Sequence, residues 1–393
     1  MKKFAAFALS FLLLSSLFVS EAFACTTFCL KSKSEVLFGR NYDWMIGDGL
    51  VFVNKRGVSK TSTQKENPAG WVSVYGSLTF NQYGRETPMG GMNEAGLVIE
   101  LMWLDGTKYP AKDARPALDV LEWIQYQLDI SATTEEVLKN IENVRIEDRT
   151  PLHYLVNDKT GNSATIEFLD GKLVARTGDT LPVSTLANDT YDKSLSYAKA
   201  TQALGGSQEV PQTANSLDRF TRAALKTKEF EKAGKTEKEA VAYAFDILSN
   251  VAQRPGTQWS IVYDQKRGKV YFRTLQSASI KSVDLKSFDY ACGSVVKMLD
   301  INSKETGDVT SKFIDYTRAA NRDLIERSFG GTDFLKNTPA ETKNHLAEYP
   351  ESFACAAKTD KKSEIKKTNA AASGNFNLYY YSLGQVFRLL LKA

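Results

Sequence analysis

Short runs of apolar residues separated by polar turns fill the first hundred residues, a pattern typical of β-strands. A polar segment at 31–35 separates the first two runs, and valine, tyrosine and threonine enrich the later ones. Strands are predicted at 26–30, 36–38, 50–53, 71–80 and 96–102. The N-terminal part of the chain is therefore expected to form a strand meander.

Helical spacing appears after Pro116. Apolar residues recur three to four positions apart as far as Leu128, and proline suits the first turn of a helix. Either Thr133 or Thr134 is placed to cap a second helix through Ile141. Farther along, strands are predicted at 153–156, 164–169, 173–175, 259–263 and 270–274, and helices at 191–203, 217–227 and 235–249.

This order of elements predicts an α+β domain in which two sheets pack on each other and helices cover them. Residues 25–393 contain no internal repeat, low-complexity tract or proline-rich linker, so a single domain is expected. Residues 301–375 are polar and rich in lysine, whereas 376–391 are aromatic and rich in leucine. We interpret 376–391 as core or a subunit contact in preference to a membrane element. Whether the region beyond about 300 is a lid, an assembly arm or an appendage stays open.

Residues 1–24 have the features of an export signal. Lys2 and Lys3 precede an apolar stretch over 4–19, and Ala22 and Ala24 form a small-residue cleavage site. The stretch is short for a membrane span of about 20 residues. We expect cleavage, a periplasmic or secreted mature protein, and no stable membrane span in it. An uncleaved anchor is the alternative, and Ala22 disfavours lipidation because a branched apolar residue is usual there.

Composition and charge exclude several classes of protein. The chain has 393 residues, 42% hydrophobic and 24% charged, with a formal net charge of +4. A net charge this close to zero does not indicate the basic surface that nucleic-acid-binding proteins use. The chain has only two histidines, no paired Cys-x-x-Cys motif and no glycine-rich phosphate loop. We therefore expect no metal and no nucleotide cofactor.

Cleavage after Ala24 would make Cys25 the first residue, with a thiol and a free α-amine. Reference pKa values are about 8.5 for the thiol and about 7.7–8.0 for the amine. Part of the amine is therefore neutral near pH 7 and can accept the thiol proton. This predicts a nucleophile that carries its own base. The alternative is that Cys25 forms a disulfide or is a small buried residue.

Four cysteines allow three pairings, and an exported chain favours disulfides. We favour a bond between Cys292 and Cys355, with the other pairings open. If 26–30 is a strand, Cys29 lies on the same face as Cys25, where it can serve as a core residue.

Five motifs follow one another along the chain: Cys25, Gly-Arg-Asn-Tyr-Asp at 39–43, Gly-Met-Asn-Glu-Ala-Gly-Leu at 91–97, Leu-Ala-Asn at 186–188 and Asp-Arg-Phe at 218–220. Their order and spacing resemble the linear amide hydrolases that include penicillin V acylases and bile salt hydrolases, in the N-terminal nucleophile superfamily. The resemblance covers about residues 25–275. It implies a four-layer αββα fold, a small-molecule amide substrate and a homo-oligomer, often a tetramer.

The resemblance also implies a role for each matching residue. Cys25 attacks the amide carbonyl, and Arg40 lies beside its sulfur and favours the thiolate. Asp43 orients the α-amine, and Asn188 donates its side-chain amide to the oxyanion. Arg219 organises the pocket through hydrogen bonds. The alternatives are a surface ion pair between Arg40 and Asp43 and a structural salt bridge for Arg219.

Two tryptophans distinguish this chain within the resemblance. The second oxyanion position of the family is Trp103, where relatives often have Asn or Tyr, although its backbone amide can still donate. Together with Trp44 it would bring aromatic surfaces near the nucleophile, which suits a flat or flexible apolar acyl group. The alternative is that both tryptophans are core residues. Asn93 lies in a turn and is interpreted as structural.

A tryptophan at position 103 resembles the Gram-negative branch, whose members hydrolyse penicillin V and, in several cases, long-chain acyl homoserine lactones. The sequence therefore predicts an exported cysteine amidase acting on one of these amides. Hydrolysis of glycine or taurine conjugates of bile acids is the first alternative. A periplasmic or lipid-anchored binding protein on the same fold is the second.

Overall fold

In a computed structural model, which describes residues 25–231 and 235–357, two large β-sheets pack face to face. Within the described residues the first sheet has seven strands, antiparallel except for its last pair. In spatial order they are β14 (Thr185–Leu186), β1 (Thr26–Lys31), β2 (Val36–Asp43), β15 (Thr257–Asp264), β16 (Lys269–Thr274), β17 (Lys281–Asp284) and β19 (Gly307–Asp308).

The second sheet has nine antiparallel strands in the same part of the chain. In spatial order they are β13 (Lys172–Thr177), β12 (Ser163–Leu169), β11 (Leu152–Asn157), β8 (Val98–Trp103), β7 (Gly90–Asn93), β6 (Ser77–Asn81), β3 (Leu50–Asn54), β18 (Lys297–Asp300) and β20 (Ile314–Asp315). Two small sheets lie beside it: β9 (Ala117–Leu118) with β10 (Arg145–Ile146), and β21 (Ala354–Cys355), β4 (Val58–Thr61) and β5 (Gly70–Val72).

Helices cover the outer faces of both sheets. The α-helices described are α1 (Val120–Ile130), α2 (Thr134–Asn140), α3 (Tyr191–Ala200), α4 (Ser216–Glu231), α5 (Glu237–Asn250), α6 (Arg318–Gly331) and α7 (Ala340–Glu348). Helices α4 and α5 pack on the first sheet, whereas α1 packs on the second. The resulting order of helix, sheet, sheet and helix confirms the predicted α+β, four-layer αββα fold.

The two faces of β1 show how the sequence builds these layers. Side chains alternate across a strand, so residues two apart share a face. Phe28 and Leu30 pack against α4 and α5, whereas Cys25 and Cys29 belong to the core between the sheets. The prediction that Cys29 shares a face with Cys25 and lies in the core is confirmed.

Helix α1 starts later than the periodicity predicts. Residues 117 and 118 form β9 instead, and the Ala117 amide donates to the Asn67 carbonyl at 2.7 Å. Asp119 is the N-cap, because its carboxylate accepts from the amides of Leu121 and Glu122, each at 2.8 Å. A side-chain acceptor at that position terminates the extended segment and starts the helix. Of the two threonines predicted as the cap of α2, Thr133 is the N-cap, and the helix ends at Asn140, one residue before the predicted end.

The single strand predicted over 71–80 is wrong, because the structure has two strands, β5 and β6, with a turn between them. In that turn the amides of Val74 and Tyr75 donate to the carbonyl of Asp129, at 2.7 and 2.9 Å. These amides are satisfied by the end of α1 and not by a neighbouring strand. The helix predicted at 191–203 ends at Ala200 and continues as a 3-10 turn.

The region beyond residue 300 adds α6 and α7, which the sequence pattern did not predict. Leu324 of α6 packs with Leu50 and Phe52 of β3, so α6 also covers the second sheet. The expected disulfide between Cys292 and Cys355 is present, with its Cα atoms 5.6 Å apart. The predictions for 1–24 and 376–391 lie outside the described residues.

Candidate active site

Cys25 lies immediately before β1 and is 4% exposed. Its thiol donates to the main-chain oxygen of Asp43, with a sulfur-to-oxygen distance of 3.9 Å. Burial raises the pKa of the thiol, while the Arg40 guanidinium acts in the opposite direction. The sulfur is therefore shielded from solvent, and the positive charge of Arg40 favours its thiolate form.

Arg40 points from β2 into the space between the two sheets. Its guanidinium donates to the main-chain oxygens of Met89 at 2.8 Å and Leu101 at 3.2 Å, and forms an ion pair with Glu100 of the second sheet. The guanidinium carbon also lies 4.8 Å from the ring centroid of Tyr42. These contacts hold the guanidinium beside Cys25. Because Arg40 is completely buried, the alternative of a surface ion pair between Arg40 and Asp43 is excluded.

Glu100 is a residue of this site that the motifs did not reveal. It accepts hydrogen bonds from Arg40 and from the Tyr263 hydroxyl. A Cβ at Gly90, opposite Glu100 in the ladder, would overlap the carboxylate, so glycine is required there. Burial raises the pKa of Glu100 to about 7, although Arg40 and Tyr263 oppose the shift. The available signal was a lone acidic residue within the apolar run at 97–102.

Asp43 ends β2 beside Cys25. Its carboxylate is fully buried, and neither oxygen has a hydrogen-bond partner among the described residues. Burial raises its pKa to about 7, while Arg219, the nearby Thr257 side chain and Arg40 lower it. A buried carboxylate without well-formed hydrogen bonds is energetically costly, so this position is suited to a further group that can donate to it.

Arg219 connects the nucleophile to Asn188. From α4, its guanidinium donates to the main-chain oxygen of Cys25 at 2.7 Å and to the side-chain oxygen of Asn188 at 3.0 Å. It also contacts the Thr26 hydroxyl. Burial lowers the pKa of Arg219, with the nearby Asp43 opposing that shift. Its partners are main-chain oxygens and neutral side chains, so the salt-bridge alternative is not what the structure contains.

Asn188 in turn reaches Trp103. Its side-chain nitrogen donates to the main-chain oxygen of Trp103 at 2.8 Å, and its main-chain amide donates to the Ser216 hydroxyl at 2.9 Å. Because Arg219 donates to the Asn188 side-chain oxygen, the orientation of the carboxamide is fixed. The two predicted oxyanion positions are therefore adjacent.

Trp44 and Trp103 face each other, with ring centroids 6.3 Å apart. Trp44 donates to the Tyr83 hydroxyl at 2.6 Å, and Trp103 donates to the Asp105 carboxylate at 2.6 Å. Both indoles are half-buried and line a largely apolar cleft. The other lining residues are Cys25, Tyr42, Asp43, Tyr83, Met89, Leu101, Val120, Leu121, Thr150 and Leu152.

All seven residues proposed from the sequence are thus gathered at one end of the inter-sheet core. Asn93 is not among them: its nitrogen donates to the carbonyls of Leu128 and Ser131, and its oxygen accepts from the amides of Ala95 and Leu97. This is the structural role predicted for it.

The described residues contain neither a cluster suited to a metal ion nor a helix suited to spanning a membrane. In 25–231 and 235–357, no group of three or more His, Cys, Asp or Glu side chains is placed to hold a metal ion. Over those same residues, no helix has both the length and the apolar character needed to cross a membrane.

Comparison with known proteins supports the motif resemblance. The family model described as linear amide C-N hydrolases, choloylglycine hydrolase family, matches residues 25–208 and 183–298. The penicillin V acylase of Pectobacterium atrosepticum is 28% identical over 320 residues, which cover 70% of this chain and 85% of that protein.

A second relative and a solved structure extend the comparison. The bile salt hydrolase/transferase of Lactiplantibacillus plantarum is 27% identical over 311 residues, covering 66% of this chain and 92% of the relative. The structure of penicillin V acylase from Agrobacterium tumefaciens superposes with a TM-score of 0.68 at 29% identity, covering 75% of this chain and 98% of that one.

Proposed function

This chain belongs to the choloylglycine hydrolase family of linear amide C-N hydrolases, and on that premise we propose that it is an exported cysteine amidase. Its proposed substrate is the side-chain amide of penicillin V or the amide of an N-acyl homoserine lactone. The observation that carries the proposal is the Cys25 thiol at an apolar cleft lined by Trp44 and Trp103.

The first step is attack by sulfur. Removal of residues 1–24 frees the α-amine of Cys25, which accepts the thiol proton as the thiolate attacks the carbonyl carbon of the amide. Arg40 favours the thiolate, since its positive charge lowers the pKa of the thiol. Asp43 accepts a hydrogen bond from the ammonium that results, which gives its buried carboxylate a donor.

Negative charge then develops on the carbonyl oxygen of the substrate. One hydrogen of the Asn188 side-chain nitrogen is directed at the Trp103 carbonyl, and the second is assigned to the oxyanion. Arg219 supports this assignment because it fixes the other end of the carboxamide. Neutral donors held in place before the reaction require little reorganisation as the charge appears.

Collapse of the tetrahedral intermediate breaks the C–N bond. The Cys25 ammonium returns its proton to the leaving nitrogen, so a neutral amine departs and the acyl group stays on sulfur as a thioester. A water molecule then attacks the thioester, with the α-amine accepting its proton. When this second intermediate collapses, the C–S bond breaks and the ammonium returns the proton to sulfur, so the carboxylic acid leaves and the thiol is restored.

The substrate class follows from the cleft. Two indoles beside the sulfur favour an aromatic or long apolar acyl group through area burial and ring contacts. The similarity to penicillin V acylases of Pectobacterium and Agrobacterium agrees with this class. Similarity to a bile salt hydrolase/transferase makes conjugated bile acids the competing substrate.

We further propose a periplasmic or secreted mature protein that starts at Cys25 and forms a single domain over residues 25–393. A homo-oligomer, with a tetramer as the expected form, is part of the same proposal. Export is what would expose the chain to the peptidase that frees Cys25, so localisation and activity are linked in this scheme.

The test compares amine release from penicillin V, a long-chain acyl homoserine lactone and glycocholate. It uses mature protein whose first residue, Cys25, is verified by intact mass. The matched control is the chain that retains residues 1–24, in which the Cys25 nitrogen is an amide and no release is expected. Preference for glycocholate would move the assignment to bile acids, and no release from any substrate would contradict the amidase proposal.

A further inference from the structure

The wall behind the cleft is built by residues that follow residue 298, where the family match ends. Phe334, just after α6, meets the ring of Trp44 edge-on, with centroids 6.1 Å apart and an interplanar angle of 85°. Thr332 places its hydroxyl 3.0 Å from the hydroxyl of Tyr83, and Phe329 packs edge-on against the Tyr83 ring at 5.7 Å. Trp44 and Tyr83 themselves line the cleft and are hydrogen-bonded to each other.

Helix α6 is fixed to the two loops that carry these lining residues. The Arg85 amide, two residues after Tyr83, donates to the side-chain oxygen of the fully buried Asn321 at 2.8 Å. Arg327 forms an ion pair with Asp48, four residues after Trp44. Helix α6 therefore contacts both loops that carry the two cleft residues.

We propose that Phe329, Thr332 and Phe334 form a specificity wall that positions Trp44 and Tyr83 for an aromatic acyl group. These three residues act through Trp44 and Tyr83 and are therefore positioning residues, outside the reacting atoms. Edge-on ring pairs favour defined geometries, so Phe334 holds the Trp44 indole in one orientation at the cleft. This inference rests on the proposed function, because it takes the cleft as the acyl site.

The experiment measures selectivity. Phenoxyacetyl and acetyl amides of the same amine are compared by their kcat/KM values, using mature wild type, Phe334→Ala, Phe334→Tyr and Thr332→Val. Loss of one ring contact should lower the phenoxyacetyl-to-acetyl ratio by about two- to tenfold in Phe334→Ala, mainly through KM for the aromatic substrate. Phe334→Tyr keeps an aromatic ring and should therefore keep the wild-type ratio. Thr332→Val removes the hydroxyl that contacts Tyr83 and should lower the ratio, as Phe334→Ala does.

Phe353→Ala is the matched control. Phe353 is half-buried like Phe334 and meets Tyr349 edge-on at 4.9 Å, and neither of these two residues lines the cleft. Its removal should leave the ratio unchanged. Equal ratios in wild type, Phe334→Ala and Thr332→Val would overturn the wall, and Thr332→Val decides the matter if Phe334→Ala does not fold.

A second measurement separates this inference from the proposed function. Alkylation of Cys25 by phenacyl bromide and by iodoacetamide, mapped by mass, reports access of aromatic and small groups without amide hydrolysis. If wild type hydrolyses neither amide but the phenacyl preference falls in Phe334→Ala, the wall stands and the amidase proposal fails. If Phe334→Ala has the same selectivity as wild type in both hydrolysis and alkylation, the proposal of a specificity wall is refuted.

Discussion

The Glu100 carboxylate of one sheet and the Arg40 guanidinium of the other form an ion pair that is fully buried between the sheets. Arg40 also acts on the Cys25 thiol, so the charge on Glu100 offsets part of the positive field that the sulfur experiences. This relationship connects the packing of the two sheets to the chemistry of the nucleophile.

Glu100→Gln should make the Cys25 thiolate form at lower pH. The substitution keeps the shape of the side chain but removes the negative charge facing Arg40, so the midpoint of thiolate formation should fall. The rate of Cys25 alkylation by iodoacetamide, followed against pH, measures it. Glu94→Gln, in the turn of the same hairpin and paired with Arg56, is the control. An unshifted midpoint would mean that Glu100 does not influence the thiol.

Cys25→Ala should abolish amide hydrolysis to the background rate while the protein stays folded. The substitution removes the sulfur that attacks the carbonyl and leaves a residue of similar size in the core. Amine release and circular dichroism check the two expectations. Cys29→Ala is the control, since burial raises the pKa of that free thiol to about 12 and it does not line the cleft. Substantial activity in Cys25→Ala would refute the nucleophile assignment.

Trp103→Ala should lower kcat/KM for phenoxyacetyl or long-chain acyl substrates by about ten- to a hundredfold. The expected loss is about 1.5–3 kcal/mol of apolar contact with the acyl group. Steady-state kinetics on penicillin V provide the measurement, and Trp103→Phe should retain most of the activity. An unchanged value in Trp103→Ala would show that the indole does not contact the acyl group.

Asp43 should make the stability of the chain that retains residues 1–24 depend on pH. Its pKa of about 7 in the fold exceeds the ordinary value of 3.8, so the folded state binds the proton more tightly than the unfolded state. The free energy of unfolding should therefore be highest below about pH 4 and fall as pH rises to about 7, by up to a few kcal/mol. The free energy of unfolding of Asp43→Asn is measured across the same pH range. Any effect of the substitution that does not depend on pH cancels, so the difference in pH dependence is the contribution of Asp43.

Removal of residues 1–24 should weaken that dependence. In the proposed mechanism the freed ammonium of Cys25 donates to Asp43, and a neighbouring cation lowers the pKa of a carboxyl group. Urea unfolding of cut and uncut protein at pH 4, 5.5 and 7.5 measures the difference. Identical pH slopes for the two forms would mean that the α-amine does not reach Asp43.

The sequence by itself predicted the layers of the fold and supplied the seven proposed site residues. Alternation in β1 is local, so the separation of Phe28 and Leu30 from Cys29 follows from strand periodicity. The motifs around Cys25 and Arg40 carry their residue types at fixed spacing, which is why they were recognisable before the fold was known. Local patterns were less accurate at ends, where the cap at Asp119 and the turn at 73–76 depend on hydrogen bonds to other segments.

Only the tertiary structure decided which distant residues complete the site. Glu100 reads as one acidic residue in an apolar strand until Arg40 and Tyr263 are seen around it. Phe334 and Thr332 have no motif, and their proximity to Trp44 and Tyr83 results from the docking of α6 on the second sheet. The physical reason is that strand and helix periodicity is set by neighbours along the chain, whereas the energy of a buried charge or ring is set by neighbours in space.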